Sequence, residues 1–227
     1  MNIALILAAG SGTRMNNDLP KQFIVVNGTP LFLYSVGAFQ KNESIDAIIV
    51  VASKDYVEQV KFCTHGVTKI VSVIEGGKTR QASVYNGLKE AEKFIKDDKD
   101  LILIHDSARP LVSQRIINEN VEKGKKFGAV DTVIQASDTI IRSKDNETID
   151  EILNRSELYQ TQTPQTFEFG IIKKAHERAI KDNVPNVTDD CRLVMHFGGT
   201  VHFVNGDRYN FKVTTPEDLE MFKSLVK

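Results

Sequence analysis

The chain of 227 residues carries almost no net charge, 29 Lys and Arg standing against 30 Asp and Glu. Without a surplus of one sign there is no bulk attraction to nucleic acid or to an anionic membrane, so a bound polyanion has to be met by a local cluster of basic groups. Long apolar runs are missing as well. The longest near the amino end, Ile3 to Ala9, is far below the roughly 20 residues of a membrane span. Only Met1 and Asn2 precede it, so no secretory signal is expected. Two cysteines, Cys63 and Cys191, are too few and too far apart for a disulfide framework or a CxxC metal motif, which leads us to expect a reducing, cytoplasmic setting. Repeats, low-complexity tracts and linkers are absent, so a single domain over residues 1–227 is expected. What is there, 41% hydrophobic and 26% charged residues, is ordinary for a globular protein and argues against disorder. Folding at this length buries roughly 70–75% of the extended-chain surface, enough for a sizeable core.

Short runs rich in β-branched residues, Ile3–Leu7, Ala47–Ala52, Ile70–Ile74 and Leu101–His105, read as buried strands. Between them Leu31–Gln40, Asp55–Phe62 and Ala82–Ile95 read as helices. In the last of these Val84, Leu88, Ala91 and Ile95 fall on one apolar stripe suited to face a sheet. This alternation predicts an α/β fold of three layers, Rossmann-like, with a mostly parallel twisted sheet. After about residue 135 the rhythm changes. Thr139–Arg142 and Thr148–Leu153 flank the turn-forming stretch Ser143-Lys144-Asp145-Asn146, which predicts a protruding β-hairpin. Further helices are predicted near Glu168–Lys181 and from about Asp189 to His196, with a strand at Val201–Val204. A last helix starts at Pro216, where Thr215 is the N-cap, Pro takes the first helical position and Asp218 supplies a carboxylate at the third.

The first strand runs into Ala8-Ala9-Gly10-Ser11-Gly12-Thr13-Arg14-Met15, with Pro20-Lys21-Gln22-Phe23 following. Small residues after a buried strand let the backbone approach a ligand closely, and successive N–H groups form an anion cradle. Arg14 and Lys21 add fixed positive charge beside it. Two other phosphate-binding patterns do not fit: a dinucleotide turn wants a third glycine where Met15 stands, and a P-loop wants Gly-Lys-Ser/Thr at its end. A second bare stretch, Gly76-Gly77, lies between a strand and a helix, where backbone can face a planar base and Ser83 offers a hydroxyl. A plain turn and helix surface is the alternative there. His105-Asp106 closes a buried strand at its carboxyl end, where ligands of open α/β sheets gather. Asp106 suits a magnesium ion beside phosphates, or a turn cap, while His105 reads as a core-edge residue. Arg109, before Pro110, is held on a stiffened turn and suits phosphate or a second substrate. Asp189-Asp190 reads as first-turn carboxylates partnering a helix dipole rather than as a metal site. No residues resemble an activated nucleophile with its base. Nor does an Asp-x-Asp follow a mid-chain strand, as a sugar-nucleotide-dependent glycosyltransferase would want.

AAGxGxRM followed by PKQF resembles the nucleotidylyltransferases, and within them the cytidylyltransferases that make CDP-methylerythritol and CDP-ribitol. The resemblance recurs in Glu75-Gly76-Gly77-Lys78-Thr79-Arg80-Gln81-Ala82-Ser83, in His105-Asp106-Ser107-Ala108-Arg109-Pro110 and in Asp138-Thr139. It recurs again in Arg155 with Thr161-Gln162-Thr163-Pro164-Gln165, in Thr188-Asp189-Asp190, and from Asn210 to Leu219. It departs at Lys78, where relatives often carry Asp. Ala8-Ala9-Gly10 and the carboxyl third look like the methylerythritol-phosphate enzymes, whereas Ala129-Val130-Asp131-Thr132-Val133 and Asn154-Arg155 with Tyr159–Gln165 look like the ribitol-phosphate enzymes. The former are favoured.

This resemblance implies a nucleotidyltransferase fold, CTP and a polyol phosphate as substrates, Mg²⁺ or another divalent cation, a homodimer, and no nucleic-acid or membrane partner. It implies that Arg14, Lys21 and Lys212 act on the reacting phosphates. Ala8, Ala9, Gly10, Ser11, Gly12, Thr13, Gly76, Gly77, Lys78, Arg80 and Ser83 would bind the nucleotide. Asp106, Ser107, Arg109, Thr139, Arg155, Thr163 and Thr188 would bind the acceptor, Asp106 also holding the metal. Residues 139–157 would be an arm exchanged with a twin subunit, carrying Thr139 and Arg155 to the neighbour's acceptor phosphate. By their residue types alone Thr139 and Arg155 are turn and surface positions, Lys212 an exposed strand lysine, and Thr163 and Thr188 loop and cap hydroxyls. A non-catalytic nucleotide-binding protein on the same fold is the competing class, disfavoured by Arg14, Lys21, Asp106 and Lys212 occurring together.

Overall fold

The computed structural model describes residues 1–10, 20–185, 187 and 189–226. In chain order the elements are β1 (Asn2–Ala8), β2 (Val25–Val26), β3 (Thr29–Pro30), α1 (Leu31–Lys41), β4 (Ala47–Ala52), α2 (Val57–Cys63), β5 (Ile70–Glu75), α3 (Arg80–Ala91), β6 (Leu101–Asp106) and α4 (Gln114–Phe127). They continue with β7 (Ala129–Gln135), β8 (Ile141–Arg142), β9 (Glu151–Ile152), β10 (Tyr159–Thr161), β11 (Gln165–Glu168), α5 (Phe169–Lys181), α6 (Asp190–His196), β12 (His202–Asn205) and α7 (Pro216–Leu225).

Strands β1, β4 and β6 are apolar on both faces, and the fold covers both. Ile3, Leu5, Ile49, Ile102 and Ile104 face one core, where Val84 and Leu88 of α3 and Ile172 of α5 pack against them. Ala4, Ile6, Ile48, Val50 and Leu103 face the other, against Phe32 and Phe39 of α1, Val60 of α2 and Ile117 of α4. The result is the three-layer, Rossmann-like α/β arrangement, helices on both sides of a sheet whose order is β5-β4-β1-β6-β11-β7. The strands β5, β4, β1 and β6 run parallel, β11 is antiparallel to both β6 and β7, and β12 runs parallel to β7 on its far side. Strand β10 pairs antiparallel with the end of β7. Among the described residues no helix is long and apolar enough to cross a membrane.

The expected strands and helices of the amino half are present with small shifts of boundary. Helix α3 starts at Arg80 and ends at Ala91, short of Ile95, and a 3-10 turn over Lys54–Tyr56 precedes α2. Apolar periodicity did not reveal α4 and β7. The inward face of α4 includes Asn120 and Gly124. Asn120 is fully buried, its amide donating to Ile116 O and Thr132 Oγ1 and its carbonyl accepting from Thr166 Oγ1. A polar core of this kind is stable because every group is paired, and it sits within an apolar stripe of Ile116, Ile117 and Val121 that packs on the sheet. The hairpin is present with shorter strands than expected, two residues each in β8 and β9. Its turn is drawn tight by the Asp145 carboxylate, which accepts from Glu147 N, Thr148 N and the Ser143 hydroxyl. Ile141, Ile149 and Ile152 remain exposed on it. At the carboxyl end the capping box forms: Thr215 Oγ1 accepts from Asp218 N, and the Asp218 carboxylate accepts from Thr215 N.

Where α3 crosses β1, Gly87 lies against Leu5, and a Cβ there would come within 2.4 Å of Leu5 Cδ1. In an open helix Gly→Ala gains about 1 kcal/mol. Overpacking costs about 1–3 kcal/mol, and Leu5, fully buried, has no room to turn. Gly87→Ala is therefore expected to lower the unfolding free energy by up to about 2 kcal/mol, read as a lower urea midpoint with unchanged slope; a raised midpoint would contradict this packing.

Candidate active site

A cleft of about 430 Å³ opens at the carboxyl ends of β1 and β6 and at the β5–α3 turn. Ala9 and Gly10 line it from β1, Gly77, Lys78, Arg80 and Ser83 from the turn and helix, Asp106 and Ser107 from β6, and Lys21 and Lys212 from the sides. Leu7, Gln22, Thr79, Ala108 and Thr214, which the sequence did not single out, complete the lining. The loops are held open by specific contacts. Gln22, 3% exposed, donates through Nε2 to Ala8 O at 2.9 Å and Gly10 O at 3.1 Å. A Cβ on Gly77 would stand 2.4 Å from Ala82 Cβ, and one on Gly76 2.8 Å from Ser83 Oγ, so neither position has room for a side chain. Ser83, expected to face a base, also braces this turn: its hydroxyl accepts from Gly77 N at 3.0 Å and donates to Thr79 O at 2.9 Å. Thr79 in turn N-caps α3.

Charge in the cleft is organised around Asp106. Its Oδ2 accepts from Lys212 Nζ at 2.6 Å, and Arg80 Nε lies 3.7 Å from Oδ1. Burial pushes this carboxyl up, but Lys212 foremost and Arg80 next outweigh it and hold the group well below the usual carboxylate range. Arg80 is anchored from behind by Asp190, Nη1 to Oδ2 at 2.6 Å. Burial opposes its charge, yet Asp190 and Asp106 more than offset that and raise its pKa. Lys21 Nζ donates to Val213 O at 2.8 Å, so the lysines from opposite ends of the chain converge on the segment that α7 and its capping box hold in place.

Residues 2–227 match the IspD family, described as 2-C-methyl-D-erythritol 4-phosphate cytidylyltransferase. The chain belongs to this family. It is 40% identical to the 2-C-methyl-D-erythritol 4-phosphate cytidylyltransferase of Clostridium novyi (strain NT), over 100% of this chain and 96% of that protein. It is 35% identical to the ribitol-5-phosphate cytidylyltransferase of Streptococcus agalactiae serotype V (strain ATCC BAA-611 / 2603 V/R), over 99% of this chain and 95% of that one. The crystal structure of the Francisella tularensis enzyme of the IspD family superposes with a TM-score of 0.84 at 30% identity, covering 99% of each chain. The family activity is cytidylyl transfer, a nucleotidyltransferase reaction.

Other candidates of this IspD-family chain lie outside the cleft lining. Thr163 is buried, its Oγ1 accepting from Asp106 N at 3.1 Å and meeting His105 Nδ1 at 3.0 Å, while His105 Nε2 meets Arg109 O. Burial lowers the His105 pKa to about 4, so it is a neutral brace for the end of β6. The Arg109 guanidinium donates to Asn210 O and Thr161 O, clamping the carboxyl-terminal segment to β10. Thr139 is exposed, and Arg155, also exposed, donates to Ser137 O at 3.0 Å. Ser11, Gly12, Thr13, Arg14 and Thr188 lie outside the described residues. Among the described residues no group of three or more His, Cys, Asp or Glu could hold a metal ion. A single carboxylate, Asp106, nevertheless fits Mg²⁺, which is commonly bound by one or two carboxylates together with substrate phosphates.

Asp189 and Asp190, read from the sequence as helix-dipole partners, do stand at the start of α6, where Asp189 accepts from Arg192 N, but they also join Gln165 and Asp131 in a largely buried cluster that the sequence did not reveal. Gln165 Nε2 donates to Asp131 Oδ1 at 3.0 Å and to Asp189 Oδ2 at 2.7 Å, and its Oε1 accepts from Asp190 N. Burial drives the Asp131 pKa up to about 7; the Gln165 hydrogen bond opposes this and the Asp189 charge adds to it. The folded state thus holds this proton more tightly than the unfolded chain, so Asp131 is without penalty below about pH 4 and destabilises increasingly as pH rises toward 7. Asp131→Asn is expected to match the wild type in stability near pH 4 and to exceed it at pH 8 by about 2–4 kcal/mol, measured by urea unfolding across pH. A difference independent of pH would remove Asp131 as the titrating group.

Proposed function

We propose that this chain transfers the cytidylyl group of CTP to 2-C-methyl-D-erythritol 4-phosphate, yielding 4-CDP-2-C-methyl-D-erythritol and pyrophosphate for isoprenoid precursor synthesis. The observation that carries this reading is the meeting of Lys212 and Arg80 at Asp106, with Lys21 lining the same cleft, which is walled in part by bare backbone. The acceptor phosphate oxygen attacks the α-phosphorus in line, its new P–O bond forming as the bond to the pyrophosphate oxygen breaks. An anionic phosphate is already a nucleophile, so the protein's task is to bring two polyanions together and stabilise charge at the crowded phosphorus. Gly77 and Ser83 frame the cytosine, Ala9, Gly10 and Arg14 cradle the triphosphate, and Lys21 and Lys212 meet the α-phosphate. Lys212 exchanges its Asp106 partner for phosphate when substrate binds. A divalent cation such as Mg²⁺, held by Asp106 with the triphosphate, would supply further charge neutralisation. Arg109, Thr163 and Thr188 shape the acceptor side.

The chain works in this reading as one domain over residues 1–227, in the cytoplasm, where its free Cys63 and Cys191 stay reduced. It acts as a homodimer whose arm, residues 139–157, brings Thr139 and Arg155 to the neighbour's acceptor phosphate. Support comes from the exposed Ile141, Ile149 and Ile152 on a hairpin too short to be stable alone.

A ribitol-phosphate acceptor is the second reading, favoured by the 35% identity to an enzyme named for it. The two are separated by pyrophosphate release with CTP and Mg²⁺. We expect a higher kcat/KM for 2-C-methyl-D-erythritol 4-phosphate than for D-ribitol 5-phosphate, because a pocket shaped for one polyol leaves polar groups of the other unpaired. A reversed ratio moves the chain to CDP-ribitol synthesis, and no release with either overturns the proposed reaction.

The arm is tested by mixing subunits. Lys21→Ala and Arg155→Ala homodimers should each lose on the order of 100–1,000-fold in turnover. Exchanged in equal amounts they should regain roughly a quarter of wild-type activity, since half of the dimers are hybrids with one of two symmetric sites intact. Hybrids as inactive as their parents would place Arg155 in its own subunit's site, and an Arg155→Ala homodimer with wild-type turnover would place it in none.

A further inference from the structure

Behind the cleft a continuous line of polar contacts leads from a helix that does not line the ligand space. His176 of α5 is fully buried and its Nε2 lies 3.0 Å from Asp190 Oδ1. The Tyr85 ring of α3 stacks parallel to the imidazole, 6.2 Å between centroids, fixing its plane. Asp190, 1% exposed, is constrained on three sides: His176 on one carboxylate oxygen, Arg80 Nη1 on the other at 2.6 Å, and its own N–H on Gln165 Oε1. Arg80, the first residue of α3, carries this line to the cleft, where its Nε stops 3.7 Å short of Asp106 Oδ1.

That stand-off requires an explanation. Arg80 and Asp106 are opposite charges in a partly desolvated cleft, and nothing in their attraction would leave them beyond hydrogen-bond distance. The guanidinium is held back by its shorter bond to Asp190. The other Asp190 oxygen is engaged by His176 Nε2, a second fixed contact that restricts the carboxylate's rotation about χ2. We propose that His176 is a positioning residue for nucleotide binding: by orienting Asp190 it keeps Arg80 withdrawn from Asp106, so that the guanidinium faces the triphosphate and Asp106 stays open on Oδ1. Without His176, Arg80 closes onto Asp106 and each masks the other. The inference rests on the nucleotide site proposed above.

The test is a double-mutant cycle on CTP affinity, measured by calorimetric titration of the acceptor-free protein with CTP and Mg²⁺, with thermal melts alongside. Arg80→Ala and His176→Leu should each weaken CTP binding by about 10–100-fold. The double variant should bind no more weakly than Arg80→Ala, because His176 acts only through that side chain. His176→Gln, which keeps a donor for Asp190, should bind within about threefold of wild type. Should His176→Leu melt too low to titrate, Asp190→Asn takes its place in the cycle, and its loss should likewise vanish in the Arg80→Ala background. Losses that add in full, wild-type affinity in His176→Leu, or no recovery in His176→Gln would overturn the relay. Wild-type protein that binds no CTP would overturn the nucleotide site itself, whereas intact binding with additive losses overturns the relay alone.

Discussion

The carboxylate of Asp106 is the constraint on which the site depends. A chain with a net charge of −1 must still present several cations to phosphates at one place, and cations gathered in a desolvated cleft repel one another. Asp106, at the last position of β6 and only 9% exposed, offsets them. Lys212 and Arg80 are oriented toward it from opposite sides, one through a 2.6 Å contact and the other held at 3.7 Å. Removing this carboxylate would leave Lys212 without its counter-charge and Arg80 with Asp190 alone, a larger penalty than the loss of an exposed ion pair.

Around that centre the fold supplies rigidity through ordinary local devices. Gln22 ties the end of β1, Thr79 and Ser83 pin the Gly76-Gly77 turn, and the Thr215–Asp218 capping box fixes the segment bearing Lys212. Each spends side-chain hydrogen bonds on backbone, so that loops with almost no side chains of their own hold one shape. Bare backbone is what permits close approach to a base or phosphate, and it is also what makes an unsupported loop adopt many conformations. The arrangement resolves that conflict by placing the supporting groups one layer back.

The half of the sheet around β11 follows a different logic from the half around β1. The four parallel strands have apolar cores on both faces, whereas β7, β11 and α4 enclose Asn120, Thr132, Thr166, Gln165 and Asp131. Buried polar networks give little net stability, but once satisfied they admit few alternative pairings. Here they determine where Asp189 and Asp190 sit, and so couple the antiparallel insert to the cationic wall of the cleft.

Periodicity and spacing were sufficient for the strands β1, β4, β5 and β6, because each is short and rich in aliphatic residues, with β1, β4 and β6 buried on both faces, and for the start of α7, whose cap is written in consecutive residues. That the Gly77 turn, Asp106 and the lysines Lys21 and Lys212 share one cleft was legible only through the ordered blocks of the family resemblance. Tertiary structure alone decided the rest. Helix α4 and strand β7 mix buried apolar residues, Ile116, Ile117, Val121, Val130 and Val133, with buried polar ones, Asn120, Asp131 and Thr132, whose pairing with Gln165, Thr166 and Pro164 no local pattern records. No spacing rule relates His176 to Asp190 and Arg80, or Lys21 to Val213 O, since these meet only when α3, α5 and α6 pack on one face of the sheet and the carboxyl-terminal segment returns past β1. Local sequence specifies which residues bear charge; the distance at which opposite charges are held, 2.6 Å in one case and 3.7 Å in another, is set by the elements that carry them.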